Sequence, residues 1–394
     1  MDVVYLDYNA STVLPVFLQG DFKDLLVKTY GNPSSLHKLG RLSRKYINEA
    51  KEIVAAYIHC DPDNIFWTSG ASEANSWVFH SVAQRAKQQG RSPHFIVSEI
   101  EHESTLLAAK AIDGAQVSYL RVHRNGCVDL NHLDELLDQN TSYDLVSVLY
   151  ANNETGAIQP IEIISKKCQN FNVSLHVDCV QALGKVSFSL KKLNITYATF
   201  SGHKIGTPKG VGFLVMQPEL SKSMRIQDDG RLLYPLIHGK QQKALRGGTE
   251  NPFAIALLGK ILKNQSSPLF PEHLAQWHRQ FEIKILESIP GTVIHAAESP
   301  RLLNTTYVGF NDVDGDSILM NLDLEGVCAS SGSACSSGSL NPSHVLLAMG
   351  CDKKISRSSI RFSSGLDTKW EHFEYVLKIL PEIVERSRTN LSED

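Results

Sequence analysis

Hydrophobic positions follow two alternating patterns over the first two thirds of the chain. Short apolar runs end in polar or glycine-containing turns, and longer segments follow in which apolar residues recur every three or four positions. Buried parallel strands produce the first pattern, and crossover helices produce the second. The sequence therefore predicts one large α/β domain with a parallel sheet from about residue 15 to residue 265. The predicted strands are 64–68, 94–97, 145–150, 173–177, 197–200 and 211–215, and the predicted helices are 71–89, 104–112, 130–137 and 162–169.

The pattern changes after Asn264. Residues 265–268 interrupt the alternation, and the helical segment 274–288 opens a different arrangement of helices and short strands. The predicted bounds are 15–264 for the large domain, and 1–14 together with 265–394 for a smaller α+β domain. Within the smaller domain, residues 329–339 are almost all small and polar, which predicts a mobile loop because such residues cannot anchor a packed core.

Composition restricts the possible partners. Hydrophobic residues make up 42% and charged residues 21% of the 394 positions, as in ordinary soluble enzymes. A net charge of -3, without a run of Lys and Arg, argues against nucleic acid or an anionic membrane as a partner. No stretch has the length of a membrane span and the N-terminus lacks a signal core, so we expect a cytoplasmic protein. The seven cysteines lack metal-site spacing, so we expect no metal and mostly buried, reduced thiols.

Two charged residues follow predicted strands at the edge where ligand sites of parallel sheets collect, namely Lys204 and Asp178. A lysine there can hold the aldehyde of pyridoxal phosphate, a cofactor that also needs a carboxylate at its pyridine nitrogen. Asp178 could keep that nitrogen protonated, and Gln181 could bond the ring hydroxyl. Taken singly, Lys204 fits a surface lysine equally well, and Asp178 fits a helix N-cap.

A glycine turn between a predicted strand and helix, at residues 68–75, could bind the cofactor phosphate. The backbone amides of Ala71 and Ser72 would point at the phosphate from the start of the helix. Further candidates for the phosphate are Ser201, His203 and Thr249. The same turn also fits an ordinary capped helix. His102 could stack on the pyridine ring, although a solvated loop histidine fits its surroundings as well.

Ten short motifs run along the chain in order. They are LDYNAST (6–12), GNPSS (31–35), TSGASEAN (68–75), EH (101–102), ANNETG (151–156), HVDCVQ (176–181), GHK (202–204), RGGTEN (246–251), SSGSAC (330–335) and SSIRFS (358–363). Together they resemble the class V, fold-type I pyridoxal-phosphate enzymes, and within that family the cysteine desulfurases. The resemblance covers nearly the whole chain. It implies pyridoxal 5'-phosphate as cofactor and a large domain with a mostly parallel seven-stranded sheet beside a smaller α+β domain.

The resemblance also implies a role for each matching cofactor residue. Lys204 would bind the cofactor aldehyde, Asp178 the ring nitrogen and Gln181 the ring hydroxyl. His102 would stack on the ring and transfer protons. The implied phosphate ligands are Ala71, Ser72, Ser201 and His203 from one subunit and Thr249 from the other. A homodimer is therefore expected, because its active site would need both chains.

The substrate side follows from the same resemblance. Arg361 would bind the carboxylate of L-cysteine bidentately, a task that suits its planar guanidinium, with Asn153 and Asn9 beside it. Cys335 would take the substrate sulfur as a persulfide, leaving L-alanine, and pass it to a sulfur-acceptor protein. The long form of the loop, 333–343, resembles the group that serves iron–sulfur cluster assembly, so the acceptor would be a scaffold of that pathway. Cys328, next to apolar residues, is interpreted as a packing residue.

Three positions depart from the family pattern and leave substrate fit and partner choice open. They are the segment 364–366, Lys240 and the segment 205–208. Three other functions also stay open. A selenocysteine lyase is favoured by Gly202, and a class V aminotransferase would not need Cys335. A non-catalytic partner in a cluster-assembly complex would ordinarily have lost Lys204 or Cys335.

Overall fold

The computed structural model describes residues 3–139, 142–217, 232–263, 269–332 and 342–391. Its strands are β1 (Val4–Tyr5), β2 (Ile65–Thr68), β3 (His94–Ser98), β4 (Gln116–Leu120), β5 (Leu145–Leu149), β6 (Ser174–Asp178), β7 (Tyr197–Ser201), β8 (Gly212–Met216), β9 (Thr292–Ile294), β10 (Thr305–Phe310), β11 (Val327–Cys328) and β12 (Ser359–Ser363). Its helices are α1 (Gln19–Lys28), α2 (Lys38–Ile58), α3 (Ala71–Gln88), α4 (Glu103–Lys110), α5 (Leu130–Leu137), α6 (Ile161–Asn170), α7 (Leu190–Leu193), α8 (Pro252–Lys263), α9 (His273–Ser288), α10 (Gly315–Leu324), α11 (His344–Ala348), α12 (Lys353–Arg357) and α13 (Trp370–Leu391). Within these ranges, every helix is too short or too polar to span a bilayer.

Seven of the described strands form one sheet in the order β2-β8-β7-β6-β5-β3-β4. The strands β3 to β7 run parallel to one another, and β8 is antiparallel to both of its neighbours. All five residues of β5, β6 and β7 are buried, because helices cover both faces of the sheet. The predicted fold class, an α/β protein with a mostly parallel seven-stranded sheet, is confirmed.

Side chains alternate between two layers along the central strands. Val146 and Val148 of β5 pack in a core that also holds apolar residues of α2, α5, α6 and α8. Leu145 joins the opposite core, which is formed mainly with α3 and α4. Because β6 and β7 run parallel, their carboxyl ends lie at the same edge of the sheet, beside the start of α3, where the candidate site lies.

A second core lies outside the seven-stranded sheet. Strands β9, β10 and β12 form an antiparallel sheet, and α9, α10 and α13 pack on it around Phe281, Phe362 and Phe373. Strand β1 pairs with β11, and Val4 and Leu6 join this second core. We therefore keep, as a proposal, the assignment of residues 1–14 and 265–394 to a smaller domain.

The sequence analysis did not predict α1, α2, α7, α8 and β4 in the large domain, and its expectation for the cysteines differs from the structure. Strand β4 was not predicted because it is a half-exposed edge strand without a continuous apolar run. Helix α2 was not predicted; the positions that its first turns bury are the small residues Gly40 and Ser43, which give no apolar signal. The expectation of mostly buried cysteines is wrong for the described residues. Cys168 and Cys179 are buried, whereas Cys60, Cys127, Cys328 and Cys351, which lie in turns or in the two-residue strand β11, are partly exposed.

Candidate active site

A cavity of about 510 Å³ opens where β6 and β7 end and α3 begins. The sequence-predicted residues that line it are Asn9, Ala71, Ser72, His102, Asn153, Asp178, Gln181, Ser201, His203, Lys204 and Arg361. Thr249 does not line it, and Cys335 lies outside the described residues. Lys204 and Asp178, which are 26 positions apart in the chain, therefore face one shared space.

Asp178 is held in place at the end of β6 by two donors. Asn75 Nδ2 donates to Asp178 Oδ2 at 3.1 Å, and the backbone N–H of Val180 donates to Oδ1 at 3.0 Å. The Asn75 amide is in turn fixed, because its Oδ1 accepts from Thr199 Oγ1 at 2.7 Å. Because these hydrogen bonds hold both carboxylate oxygens, the Asp178 side chain has a fixed orientation at the cavity.

Gln181 is held by two buried residues, Asn9 and Lys185. Its Nε2 donates to the Asn9 carbonyl at 3.0 Å, and its Oε1 accepts from Lys185 Nζ at 2.6 Å. Lys185 Nζ also donates to Asn9 Oδ1 at 2.7 Å. The cavity wall at this end is therefore a closed set of hydrogen bonds among Asn9, Gln181 and Lys185.

Lys204 follows β7 in a short 3-10 turn, Gly202–Lys204. Its Nζ donates to the carbonyl oxygens of Asn9 and Ala10 at 2.8 and 2.9 Å, which keeps the amine at the cavity. Gly202 does not line the cavity, and a Cβ there would lie 2.4 Å from Thr207 Oγ1. Packing against Thr207 therefore explains the glycine, which weakens Gly202 as a sign of selenium specificity.

His102 caps α4 and lies at the cavity wall. Its Nδ1 accepts from the backbone N–H of Ser104 at 3.1 Å, so the neutral ring carries its proton on Nε2. Burial lowers the pKa of His102, and the Asp178 carboxylate acts in the opposite direction. The ring is therefore a neutral donor at physiological pH.

The start of α3 offers donors for an anion. Gly70 at the N-cap has no side chain that could cap the first amides, and Gly70, Ala71 and Ser72 all line the cavity. Ser201 and His203 line the same end. Burial, together with Lys204 and Lys209, lowers the pKa of His203 to about 4, so this ring is also neutral at pH 7. This end suits a phosphate bound by amides and short donors.

Arg361 is buried in β12 and also lines the cavity. Its Nη2 donates to Asp7 Oδ1 at 2.6 Å, and its Nη1 donates to the Asn153 carbonyl at 2.9 Å. Its Nε has no acceptor among the described residues. The guanidinium is thus fixed in orientation with donor capacity left over, as a carboxylate-binding arginine requires.

The departures at 364–366 have structural explanations. Ser364 Oγ lies 2.8 Å from His278 Nε2 in a buried pair, and a Cβ on Gly365 would overlap the Tyr8 ring at 2.0 Å. Leu366 packs against the large core. These positions thus complete local packing. Lys240 is exposed and does not line the cavity.

Sequence reasoning missed four residues that support the site. Asn75 and Asp7 lay inside matched motifs without an assigned role, and Lys185 lies one helical turn after Gln181. The fourth is Glu101, which is fully buried; burial and the neighbouring Asp178 raise its pKa well above the ordinary value. Only the spacing of Lys185 gave a usable signal.

These residues fit pyridoxal phosphate. A cavity lysine, a fixed carboxylate, a polar amide and an uncapped helix start are the groups that the cofactor requires at its aldehyde, ring nitrogen, ring oxygen and phosphate. Fold and site together define a fold-type I pyridoxal-phosphate enzyme.

Known proteins narrow the class. Residues 4–376 match the family Aminotransferase class-V. The cysteine desulfurase IscS of Dictyoglomus turgidum is 37% identical over 391 residues, which cover 98% of this chain and 95% of that protein. A cysteine desulfurase of a Nostoc species is 38% identical over 394 residues, with 98% and 94% covered. The solved structure of a NifS-like protein superposes with a TM-score of 0.86 at 32% identity, with 98% and 100% covered. The chain belongs to the class V aminotransferase family and, within it, to the cysteine desulfurases, which are pyridoxal-phosphate enzymes.

Proposed function

We propose that this protein converts L-cysteine to L-alanine and receives the sulfur as a persulfide on Cys335. The observation that carries the proposal is the shared cavity, which Lys204, Asp178 and Arg361 all line. Arg361 can hold the substrate carboxylate while Lys204 and Asp178 serve the cofactor in the same space.

The residues that would hold pyridoxal phosphate are Ala71, Ser72, Asp178, Gln181, Ser201, His203 and Lys204. When bound, the cofactor supplies an electron sink for negative charge at the substrate α-carbon. Asp178 supports that role by keeping a proton on the ring nitrogen. Hydrogen bonds from the Asn75 side chain and the Val180 backbone hold this carboxylate in a fixed orientation.

Proton movements are assigned to two residues. The amine of Lys204, held at the Asn9 and Ala10 carbonyls, is the base that takes the α-proton of the substrate. His102 holds its proton on Nε2 because Nδ1 already accepts from Ser104, so it stacks and donates as a neutral ring. This assignment gives the base and the donor separate residues.

Arg361 positions the substrate. Its carboxylate contact would fix the substrate sulfur at the far side of the cavity, with Asn153 and Asn9 beside it. Cys335 then takes the sulfur: the substrate Cβ–S bond breaks, an S–S bond forms at Cys335, and Cβ gains a proton. L-cysteine and a thiol thus yield L-alanine and a persulfide, and no external oxidant or reductant is needed.

A homodimer belongs to the proposal. Thr249 is exposed and lies outside the cavity of its own chain, as expected for a phosphate ligand that serves a second copy. Exposed apolar side chains are concentrated in the segment 13–36, where Leu36 is 88% and Tyr30 is 72% exposed. Such exposure is typical of a covered interface. By resemblance to the cysteine desulfurases, the sulfur acceptor in this proposal is an iron–sulfur scaffold protein. We also propose that the enzyme acts in the cytoplasm.

The test incubates the purified, cofactor-loaded protein with L-cysteine and a reductant. Equal amounts of alanine and sulfide are expected, and mass spectrometry without reductant should place the added sulfur on Cys335. Lys204→Ala and Cys335→Ser should abolish sulfide release, whereas Lys192→Ala, an exposed lysine on α7, should leave it unchanged. Full sulfide release by Cys335→Ser, or a protein that binds no cofactor, would contradict the proposal.

A further inference from the structure

A fully buried lysine lies behind the cavity wall and has no part in the proposed reaction. Lys185 is 3% exposed and does not line the cavity. Its Nζ donates to Gln181 Oε1 at 2.6 Å and to Asn9 Oδ1 at 2.7 Å, and it lies 5.4 Å from the centre of the Phe270 ring. Burying an amine is costly, so both acceptors compensate for a substantial loss of hydration.

Both acceptors belong to residues that face the cavity. Asn9 Oδ1 also accepts from Asn304 Nδ2 at 3.2 Å, and Asn9 Nδ2 donates to Thr305 Oγ1 at 2.9 Å. The Asn9 amide is thereby fixed, and its backbone carbonyl accepts from Gln181 Nε2 and from Lys204 Nζ. Lys185 thus acts on the cavity through the Asn9 and Gln181 side chains, whose orientation its two hydrogen bonds help to fix.

The orientation of the Gln181 amide matters for the ring oxygen of the cofactor. An amide has an acceptor end and a donor end of similar size, so it can present either one. Since Lys185 occupies Oε1, the nitrogen end remains, and Nε2 keeps one N–H after its bond to Asn9. An amide turned the other way would place its oxygen against an oxygen acceptor, which is repulsive.

We propose that Lys185 is a positioning residue, which holds the Gln181 amide so that its nitrogen donates to the ring oxygen of pyridoxal phosphate. The inference rests on the proposed function, because it assumes that this cofactor occupies the cavity. Burial and the nearby cations of Lys204 and Arg361 lower the pKa of Lys185 well below its ordinary value. The amine donates one N–H to each of its two acceptors, Gln181 Oε1 and Asn9 Oδ1.

The experiment compares wild type, Lys185→Met, Gln181→Met and the double variant. Apoprotein of each is titrated with pyridoxal phosphate, and the visible absorption band of the bound cofactor is then titrated with pH. Lys185→Met should weaken binding by about tenfold. It should also raise the pH midpoint of the band by roughly one unit, since a donor to the ring oxygen stabilises its anionic form.

The double variant separates positioning from simple structural support. If Lys185 acts through Gln181, adding Lys185→Met to Gln181→Met should change the cofactor affinity by less than about twofold. The pH midpoint of the band should then move by less than about 0.3 unit. Equal effects of Lys185→Met in both backgrounds would overturn the inference. Lys167→Met, which removes an amine paired with Asp134 on α6 and α5, is the control and should match wild type.

Two further outcomes keep the inference testable. Should Lys185→Met fail to fold, as judged by circular dichroism, Lys185→Gln, which keeps a polar end in the pocket, takes its place with the same criteria. A wild-type protein without a visible cofactor band would overturn the proposed function itself. A normal wild-type band that Lys185→Met and Lys185→Gln leave unchanged would overturn only the role of Lys185.

Discussion

The end of the cavity around Asp178 and the end around Gly70 face the same space but are held in different ways. Around Asp178, which we call the ring end, side chains bond to one another: Asn75 holds Asp178, and Lys185 holds Gln181. Around Gly70, the phosphate end, the donors are backbone amides of α3 and short side chains, and the N-cap supplies no side chain.

This difference between the ring end and the phosphate end indicates which part of the site a single chain completes. Every ring-end polar group described above has a protein partner before any ligand arrives, so the ring end is preorganised. The phosphate end keeps unpaired helix amides, and its expected further ligand, Thr249, lies outside the cavity. Ring-end substitutions should therefore damage the chemistry, whereas phosphate-end substitutions should mainly weaken cofactor binding.

The largest effect is expected from Asp178→Asn at the ring end. The variant keeps the shape of the side chain but loses the charge that holds a proton on the ring nitrogen. We expect kcat for alanine formation to fall about 10³-fold, while the visible absorption band shows that the cofactor is still bound. Asp144→Asn changes a buried carboxylate paired with Arg91 at the opposite end of β5, and it should lower kcat far less. Comparable losses in both variants would show that Asp178 acts through folding alone.

Arg361→Lys tests whether a fixed arrangement also serves the substrate. Lysine cannot reproduce the planar contacts to Asp7, Asn153 and a carboxylate together, so we expect KM for L-cysteine to rise about 100-fold with a smaller change in kcat. Steady-state alanine formation measures both constants. Arg301→Lys changes a partly buried pair with Glu282 outside the cavity and should leave KM within about threefold of wild type. A KM unchanged in Arg361→Lys would remove this residue from substrate binding.

Much of the fold was predictable because its signals are local. The continuous apolar runs of β5, β6 and β7 mark buried strands, and predicted and observed ends differ by one residue. The edge strand β4 gave no such run. The residues that face the cavity were predictable as well, because they lie in motifs at strand ends and helix starts.

Asn75 and Asp7 were not predictable as supporting residues, because their partners are distant in sequence, whereas Lys185 lies only four positions from Gln181. Asn75 meets Asp178 across 103 positions, and Asp7 meets Arg361 across 354. The sequence around each residue does not indicate these two pairings, because only the tertiary fold brings the partners together. The glycine at 202, which kept a selenocysteine lyase open, has a second explanation in its packing against the Thr207 side chain.

A buried histidine beneath the ring end gives the next prediction. His176 bonds Ser147 and Thr199, and burial lowers its pKa to about 3. This value lies below the ordinary 6.5, so its contribution to stability is complete above pH 6.5 and is lost as the pH falls toward 3. Between pH 7.5 and pH 5 the loss should be about 2 kcal/mol.

Urea unfolding of the apoprotein at both pH values measures that loss. His176→Gln is less stable overall but lacks the titrating group, so its free energy of unfolding should fall by about 2 kcal/mol less than that of wild type over the same interval. His123→Gln, an exposed histidine, should keep the wild-type slope. An identical acid loss in His176→Gln and wild type would show that the ring end does not depend on a neutral His176.

The smallest effect is expected at the phosphate end. Thr249→Ala removes one hydroxyl contact, so cofactor affinity should fall about tenfold while kcat at saturating cofactor stays near wild type. Mixed dimers of Thr249→Ala with Lys204→Ala decide which chain the threonine serves. If Thr249 reaches the partner's cavity, the mixed dimer has one site with both Lys204 and a threonine, and that site should bind the cofactor with wild-type affinity. If Thr249 serves its own chain, the site that keeps Lys204 lacks the threonine and should retain the tenfold defect. That result would mean that one chain completes its own phosphate end.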